Sequence, residues 1–138
     1  MTDDLRACLE AELAKPPFHR WLGPVLESVE AEAQALTVRI PARPEFARVP
    51  GEPGFHGAIV AGAVDIAAHA AIVIRTRGPT PTVDLRVDYL RASTGADLLA
   101  RAEIVRAGRN LGTVRVEVSE PGGRAVAAGI ATFYLRRD

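Results

Sequence analysis

Two polar residues inside an apolar segment, and the His-Gly pair before it, are the features of this sequence that could do chemistry. Asp65 and His69 are the only polar residues in segment 58–74, and His56 and Gly57 lie directly before it. A carboxylate in apolar surroundings can act as a general base or as a nucleophile. At the first turn of a helix, free backbone amides stabilise a developing negative charge, so Gly57 offers an oxyanion site.

Asp65 also has two local explanations that involve no catalysis. His69 lies four residues further on, one turn along a helix, and could pair with the carboxylate. The carboxylate could equally face water at an edge of the helix. A histidine on an apolar helix face is more often a satisfied core residue than a catalyst, so His69 itself is expected in the core. The residues alone leave the local and the catalytic explanations of Asp65 open.

The spacing between Gly57 and Asp65 limits how the two could act together. They are eight residues apart, which is about 12 Å along a helix that rises about 1.5 Å per residue. One chain cannot easily bring both to a single substrate carbon, whereas two antiparallel copies of the helix, related by a two-fold axis, could. A helix that is apolar all round also needs more cover than one sheet provides. Both observations predict a homo-oligomer with a site shared between subunits.

The elements that must carry these residues follow from apolar periodicity and from the positions of Pro and Gly. A short N-terminal helix is predicted over about residues 3–14, and a turn at residues 18–22 is predicted to bring two aromatic rings inward. A loop over residues 42–56 leads to a long central helix over about residues 57–75. Strands are predicted over 25–32, 34–41, 81–90, 96–106, 111–119 and 125–135.

The strand after the long helix has the cleanest alternation in the chain. It predicts one face with Val83, Leu85, Val87 and Tyr89, and the other with Thr82, Asp84, Arg86 and Asp88. The connections between the later strands are short, which favours antiparallel pairing. The sequence therefore predicts an α+β fold, with an antiparallel sheet of about six strands packed on one long helix.

Composition narrows the class of protein. The 138 residues carry 17 basic and 17 acidic side chains, a net charge of zero that argues against nucleic acid as the main partner. The single cysteine, Cys8, excludes an intrachain disulfide and a cysteine zinc cluster. An acidic start, unlike a signal peptide, predicts a cytoplasmic setting. Asp65 and His69 interrupt the apolar run, which predicts a core helix and no membrane association.

Several segments together resemble one known family. Segment 55–65, with its His-Gly-Ala start and its Asp eight residues after the Gly, resembles the HGG(x)nD segment of hotdog-fold thioesterases, in the phenylacetate-degradation (PaaI-like) branch. The strand that follows the helix in that family is similar to residues 82–91. Other similar segments are the entry at residues 17–23, the Gly108-Arg109-Asn110 turn and the final strand at residues 127–133.

The resemblance implies a fold, an activity and a set of partners. It implies one hotdog domain over residues 1–138, with the sheet wrapped around the central helix, in dimers with two shared sites and often in tetramers. The implied activity is hydrolysis of acyl-CoA thioesters without a metal or a bound cofactor, since CoA enters only as part of the substrate. Asp65 would activate water or attack the carbonyl, the Gly57 amide with His56 nearby would polarise it, and Thr82 would position the water or the carboxylate.

The resemblance also implies substrate contacts. Phe55 and Ala58 would lie near the acyl group, and Arg91, Arg109 and Asn110 are candidates for the CoA phosphates.

The chain departs from the family pattern at two positions. Ala58 replaces the second Gly of the motif, and Pro50 replaces an Asn that holds the attacking water in many members, a role that Glu52 could take instead. These departures favour one alternative function, a non-catalytic hotdog protein that binds an acyl-CoA or another small ligand. A second alternative is a hotdog hydratase or dehydratase, which His69 beside Asp65 would suggest.

Overall fold

One antiparallel sheet of six strands and one long helix make up most of the protein, whose computed structural model describes residues 2–135. The predicted α+β fold and the number of strands are therefore confirmed. In chain order the elements are α1 (Thr2–Ala14), α2 (Pro17–Leu22), β1 (Val25–Glu30), β2 (Ala35–Ile40), a 3-10 turn (Pro44–Phe46), α3 (Gly57–Thr76), β3 (Thr82–Tyr89), β4 (Leu98–Ala107), β5 (Leu111–Ser119) and β6 (Ala125–Tyr134).

The strand order in the sheet is β1-β2-β4-β5-β6-β3, with every pairing antiparallel. The chain leaves the sheet after β2, passes through α3 and returns as β3 at the far edge, where β3 pairs with β6. The first hairpin is shorter than predicted because its turn takes residues 31–34, where Gln34 adopts a φ of 52°. The strand that follows the long helix thus forms an open edge of the sheet.

Helix α3 forms the centre of the core and packs against β2, β4, β5 and β6. Its observed span of Gly57–Thr76 agrees with the predicted central helix. By length and composition alone it could cross a membrane, with a mean hydropathy of 2.0, but 67% of that window is buried inside the protein. That burial is typical of the core helix of a folded domain.

The N-terminal helices pack on this core in two different ways. In α1, Leu5, Leu9 and Leu13 recur every four residues and all three are buried, as the helical spacing predicts. The inward turn predicted at residues 18–22 is wrong. Proline in the first turn starts a helix there, and Leu22 takes the buried position, so Phe18 and Trp21 are 49% and 47% exposed.

A glycine in β6 allows α3 to approach the sheet closely. A Cβ at Gly129 would lie 2.5 Å from Cγ1 of Val64 and 2.9 Å from the carbonyl oxygen of Arg86. A larger residue at position 129 would therefore push either α3 or β3 away from β6. This close approach brings the residue after Val64, which is Asp65, within reach of β3.

Candidate active site

The carboxylate of Asp65 is anchored by the strand beside it. Asp65 lies partly buried in α3, and the hydroxyl of Thr82 donates a hydrogen bond to its Oδ1 at 2.8 Å. Among residues 2–135, Thr82 is the only hydrogen-bond donor to this carboxylate. The two residues that the family resemblance assigned to one catalytic unit are therefore in contact.

Thr82 reaches Asp65 because β3 carries a β-bulge. Strict alternation predicted Thr82 and Tyr89 on opposite faces, and that prediction is wrong. The register of β3 on β6 shifts between Thr82 and Asp84, so Thr82 lies opposite the buried Phe133. Tyr89 lies opposite the buried Ala127, on the same side of the sheet. A bulge adds one residue to a strand and thereby re-aims a side chain, here towards the helix.

The N-terminus of α3 presents the second functional group. Nδ1 of His56 accepts the Ala58 amide at 2.9 Å and caps the helix. An Nδ1 that accepts this amide carries no proton, which leaves Nε2 as the donor atom of the His56 ring. No acceptor within residues 2–135 takes the amide of Gly57. That amide is a donor at the positive end of a 20-residue helix, as an oxyanion site requires.

Tyr89 anchors this helix end and was missed in the sequence. Its hydroxyl donates to the carbonyl oxygen of Gly57 at 2.8 Å. β3 therefore contacts α3 at both ends of the candidate site, through Thr82 at Asp65 and through Tyr89 at Gly57. An aromatic residue at the end of an alternating strand was the only signal, and it does not indicate a contact with one particular carbonyl.

A cleft of about 480 Å³ opens beside Gly57. Two of the predicted substrate-binding residues, Phe55 and Arg91, line it, and so does Arg48, which the sequence analysis did not single out. Arg91 is exposed and donates to the carbonyl oxygen of Ala125 at 3.2 Å. Ala58 is exposed on α3 next to this cleft.

The other two predicted phosphate-binding residues lie elsewhere. Arg109 and Asn110 are exposed in the turn between β4 and β5. The carbonyl oxygen of Asn110 accepts the Leu135 amide at 2.7 Å, which places this turn at the end of the sheet far from the cleft. One chain does not bring them to Gly57, and their contact with CoA stays a prediction.

Pro50 and Glu52 are exposed in the loop before α3, and Glu52 lines a second cleft together with Phe55. The role of Glu52 in holding the attacking water stays a prediction.

His69 is half-buried and has a local hydrogen-bond partner, as expected for a histidine on an apolar helix face. Its Nε2 accepts the Thr80 amide at 3.2 Å, and its ring lies 6.0 Å from that of Phe133. Of the two local explanations of Asp65, a hydrogen bond with His69 is not formed, because the Asp65 carboxylate accepts the Thr82 hydroxyl instead. Burial lowers the pKa of His69, and a repulsion from His19 adds to this, while Glu12 and Asp65 act in the opposite direction.

This burial predicts a pH-dependent stability. Because the pKa of His69 is lower in the folded chain than its ordinary 6.5, the unfolded chain binds the proton more readily below that pH. The free energy of unfolding is expected to fall as the pH falls through 6.5. His69→Gln keeps an acceptor for the Thr80 amide but cannot titrate. Its free energy of unfolding should therefore fall less than that of the wild type over the same pH range. Urea unfolding of both proteins at about pH 7.5 and about pH 5.5 tests this, and equal losses in both would contradict it.

No group of three His, Cys, Asp or Glu side chains within residues 2–135 is arranged to hold a metal ion. The Asp65 carboxylate is suited to acid–base or nucleophilic catalysis, and the Gly57 amide to the stabilisation of an anion.

Comparison with known proteins identifies the family. A family model described as "Thioesterase superfamily" matches residues 54–127, more than half of the chain. The medium/long-chain acyl-CoA thioesterase YigI of Escherichia coli K12 is 32% identical over 86% of this chain and 85% of its own length. The chain belongs to the thioesterase superfamily.

Solved structures agree with this assignment. The structure of a protein from the thioesterase superfamily has a TM-score of 0.88 and 32% identity, covering 96% of this chain and 99% of that one. The phenylacetic acid degradation-related protein of Ralstonia eutropha JMP134 has a TM-score of 0.80 and 25% identity, covering 94% and 98%. The hotdog fold, the phenylacetate-degradation likeness and thioester hydrolysis as the class of activity are confirmed.

Proposed function

We propose that this protein hydrolyses acyl-CoA thioesters at sites shared between two subunits. One subunit contributes the Asp65 carboxylate and the other contributes the Gly57 amide. The observation that carries the proposal is that each group is separately anchored by β3, through Thr82 and Tyr89, yet the two lie eight residues apart on one helix. Each chain therefore contains two half-sites that do not converge.

The incompletely buried face of α3 supports a shared site. Between Gly57 and Asp65, the positions of α3 that are not buried lie on one face of the helix: Gly57, Ala58, Ala61, Gly62 and Asp65. All of them except Asp65 are glycine or alanine. Small residues allow a second helix to approach closely. A two-fold axis through the middle of this stripe would set Asp65 of one subunit opposite Gly57 of the other.

The edge strand supports the same arrangement. β3 has a neighbour on one side only and carries large apolar side chains that are strongly exposed, including Val83 at 59% and Tyr89 at 57%. A long apolar edge strand is a ready partner for another strand of the same kind. We therefore propose a homodimer in which the two β3 edges and the two α3 stripes are covered together.

The reaction at such a site needs only the groups described. Asp65, oriented by the Thr82 hydroxyl, either removes a proton from a water molecule that attacks the thioester carbon or attacks that carbon itself. The carbonyl oxygen gains negative charge and accepts the Gly57 amide. In the first route a carbon–oxygen bond to water forms, the carbon–sulfur bond breaks, and the proton taken up by Asp65 passes to the CoA thiolate. In the second route the thiolate leaves an acyl anhydride on Asp65, and a water molecule then hydrolyses this anhydride and supplies the proton that the thiolate takes up. The products are a free acid and CoA.

Two exposed aromatic rings support an apolar acyl group. A Cβ at Gly62 would lie 3.7 Å from the ring of Phe18, so Phe18 covers α3 one turn before Asp65. Trp21 stacks next to Phe18 with ring centroids 6.0 Å apart. An acyl chain bound at Asp65 would meet these rings. Together with the medium/long-chain activity of the related YigI, this favours a medium- or long-chain acyl-CoA as substrate.

One alternative keeps a specific observation in its favour. Pro50 has neither a side-chain hydrogen-bonding group nor an amide hydrogen to hold an attacking water, which favours a hotdog protein that binds an acyl-CoA without turnover. The hydratase alternative loses its basis, since His69 bonds to the Thr80 amide and not towards Asp65.

A panel of thioesters tests the proposed function. The protein is incubated with short, medium, long and aromatic acyl-CoAs, and release of the free thiol is followed with a thiol reagent. We expect turnover with the largest kcat/KM for a medium or long chain. Binding of acyl-CoA by calorimetry without thiol release from any member of the panel would favour the binding protein. Hydration of an enoyl-CoA would instead favour the hydratase.

A further inference from the structure

A buried carboxylate outside the candidate site holds the loop that follows β3. Glu120, at the end of β5, is 3% exposed. Its Oε2 accepts the amide of Thr94 at 2.9 Å and the Thr94 hydroxyl at 2.5 Å, and its Oε1 accepts Nη1 of Arg124 at 2.8 Å. Nη1 of Arg124 also donates to the carbonyl oxygen of Ala92 at 2.8 Å. The β3–β4 loop, residues 90–97, is thereby fixed to the turn between β5 and β6.

The opposite side of the same loop supports the start of α3. Oγ of Ser93 accepts the amide of Phe55 at 2.7 Å. The next amide, that of His56, donates to the carbonyl oxygen of Phe46 at 2.7 Å. Two successive amides before Gly57 are therefore held by fixed acceptors, and one of these acceptors is a side chain of the β3–β4 loop.

Backbone packing makes this support tight. A Cβ at Gly54 would lie 3.0 Å from the carbonyl oxygen of Ser93, and one at Gly95 would lie 2.8 Å from Cβ of Pro53. Both glycines have positive φ, 111° and 100°, so the two loops cross where larger residues would be strained and crowded. A displacement of the β3–β4 loop therefore cannot be absorbed without moving segment 53–55.

The charge of Glu120 matters to this arrangement. Burial opposes that charge, but the hydrogen bonds from Thr94 and Arg124 outweigh burial and hold the pKa of Glu120 below its ordinary value. An ionised carboxylate accepts every bond it makes here. A glutamine has the same shape but carries an NH2 group in place of one oxygen. It would therefore lose either the bonds from Thr94 or the bond from Arg124.

We infer that Glu120 and Ser93 are positioning residues for the Gly57 amide. Glu120 fixes Thr94 and the β3–β4 loop, Ser93 in that loop fixes Phe55, and Phe55 leads through His56 to the oxyanion donor. This inference rests on the proposed function, because it assigns the two residues to the geometry of the same site. Glu120 does not line the cleft beside Gly57, whereas Ser93 lines it and acts here through its bond to the Phe55 amide.

The test compares Ser93→Ala and Glu120→Gln with matched controls on the full chain. The controls are Ser28→Ala on β1 and Glu117→Gln on β5, both at exposed positions. Two readouts are used: kcat and KM for thiol release from the best acyl-CoA of the panel, and hydrogen exchange of the Phe55, His56 and Gly57 amides measured by NMR.

We expect Ser93→Ala to lower kcat about tenfold with KM within about twofold, since misplacing one catalytic donor weakens transition-state binding more than substrate binding. Exchange of the Phe55 amide should become about tenfold faster. Ser93→Thr keeps the Oγ acceptor and should restore both values. Glu120→Gln should change both readouts in the same direction, and the controls should match the wild type.

Two results would overturn the inference. One is a Ser93→Ala variant, which keeps the buried Glu120, whose kcat and Phe55 amide exchange both equal those of the wild type. The other is equal exchange of the Phe55 amide in Glu120→Gln and in the wild type, which would break the link through the loop. If the wild-type protein releases no thiol from any acyl-CoA, the proposed function fails, and the exchange measurements still decide whether Glu120 and Ser93 control this segment.

Discussion

Asp65→Asn is expected to lower kcat for thioester hydrolysis by about 10³-fold, within the range that a general base contributes. Asparagine has the same size and can still accept the Thr82 hydroxyl through its side-chain oxygen, so the contact between α3 and β3 is kept. What disappears is the negative charge that removes a proton from water or attacks the carbonyl carbon. The loss should therefore fall on kcat, while KM changes little.

Three further measurements make this expectation specific. Asp84→Asn, on the exposed outer face of β3, serves as the matched control and should keep wild-type kcat. Asp65→Ala should lose as much activity as Asp65→Asn. Thermal unfolding should show that both Asp65 variants are folded. A kcat for Asp65→Asn within a few-fold of the wild type would remove Asp65 from the mechanism.

The candidate pair of Asp65 and Gly57 could be picked out from the sequence because each member depends on a local pattern. Asp65 is conspicuous in an apolar helix, and Gly57 follows from the position where that helix begins. The buried leucines of α1 and the span of α3 follow from apolar periodicity in the same way. Such features need only the residues of one element.

The supporting contacts could not be foreseen because they join distant segments. Thr82 reaches Asp65 through a β-bulge, which alternation along β3 alone cannot predict. The bond from the Phe55 amide to Ser93 joins residues 38 positions apart, and that from Thr94 to Glu120 joins residues 26 positions apart. Neither pair has a recognisable spacing, so only the folded chain reveals them.

β3 joins the residues that could be picked out from the sequence to the contacts that only the folded chain reveals. Its first residue holds the carboxylate, its last residue holds the carbonyl of Gly57, and its continuation carries Ser93 to Phe55. The strand with the greatest exposure of apolar side chains is therefore also the strand that orients both half-sites. A dimer that covers this edge would fix the geometry of the site at the same time, so we expect activity to depend on dimer formation.

Gly57→Pro is expected to lower kcat by about 10²- to 10³-fold, the effect of removing one oxyanion donor. Proline has no amide hydrogen, and the first position of a helix accepts it because that amide has no partner within the helix. The preceding His56 has φ −57° and ψ 140°, a conformation that a residue before proline adopts readily. The comparison variant Gly57→Ala keeps the amide, and its Cβ would lie 3.5 Å from the Tyr89 ring, an ordinary contact. It should lose far less activity.

Mixing the two inactive variants tests whether the site is shared. A heterodimer of Asp65→Asn and Gly57→Pro combines the intact Asp65 of one subunit with the intact Gly57 of the other, so one of its two sites is complete. If equal amounts are unfolded, mixed and refolded, half of the dimers are mixed and about one quarter of the wild-type sites should return. Sedimentation should find a dimer in every sample, and each variant refolded alone should stay inactive. Were both groups used within one chain, mixing would restore nothing, because each subunit would carry a defect in its own site.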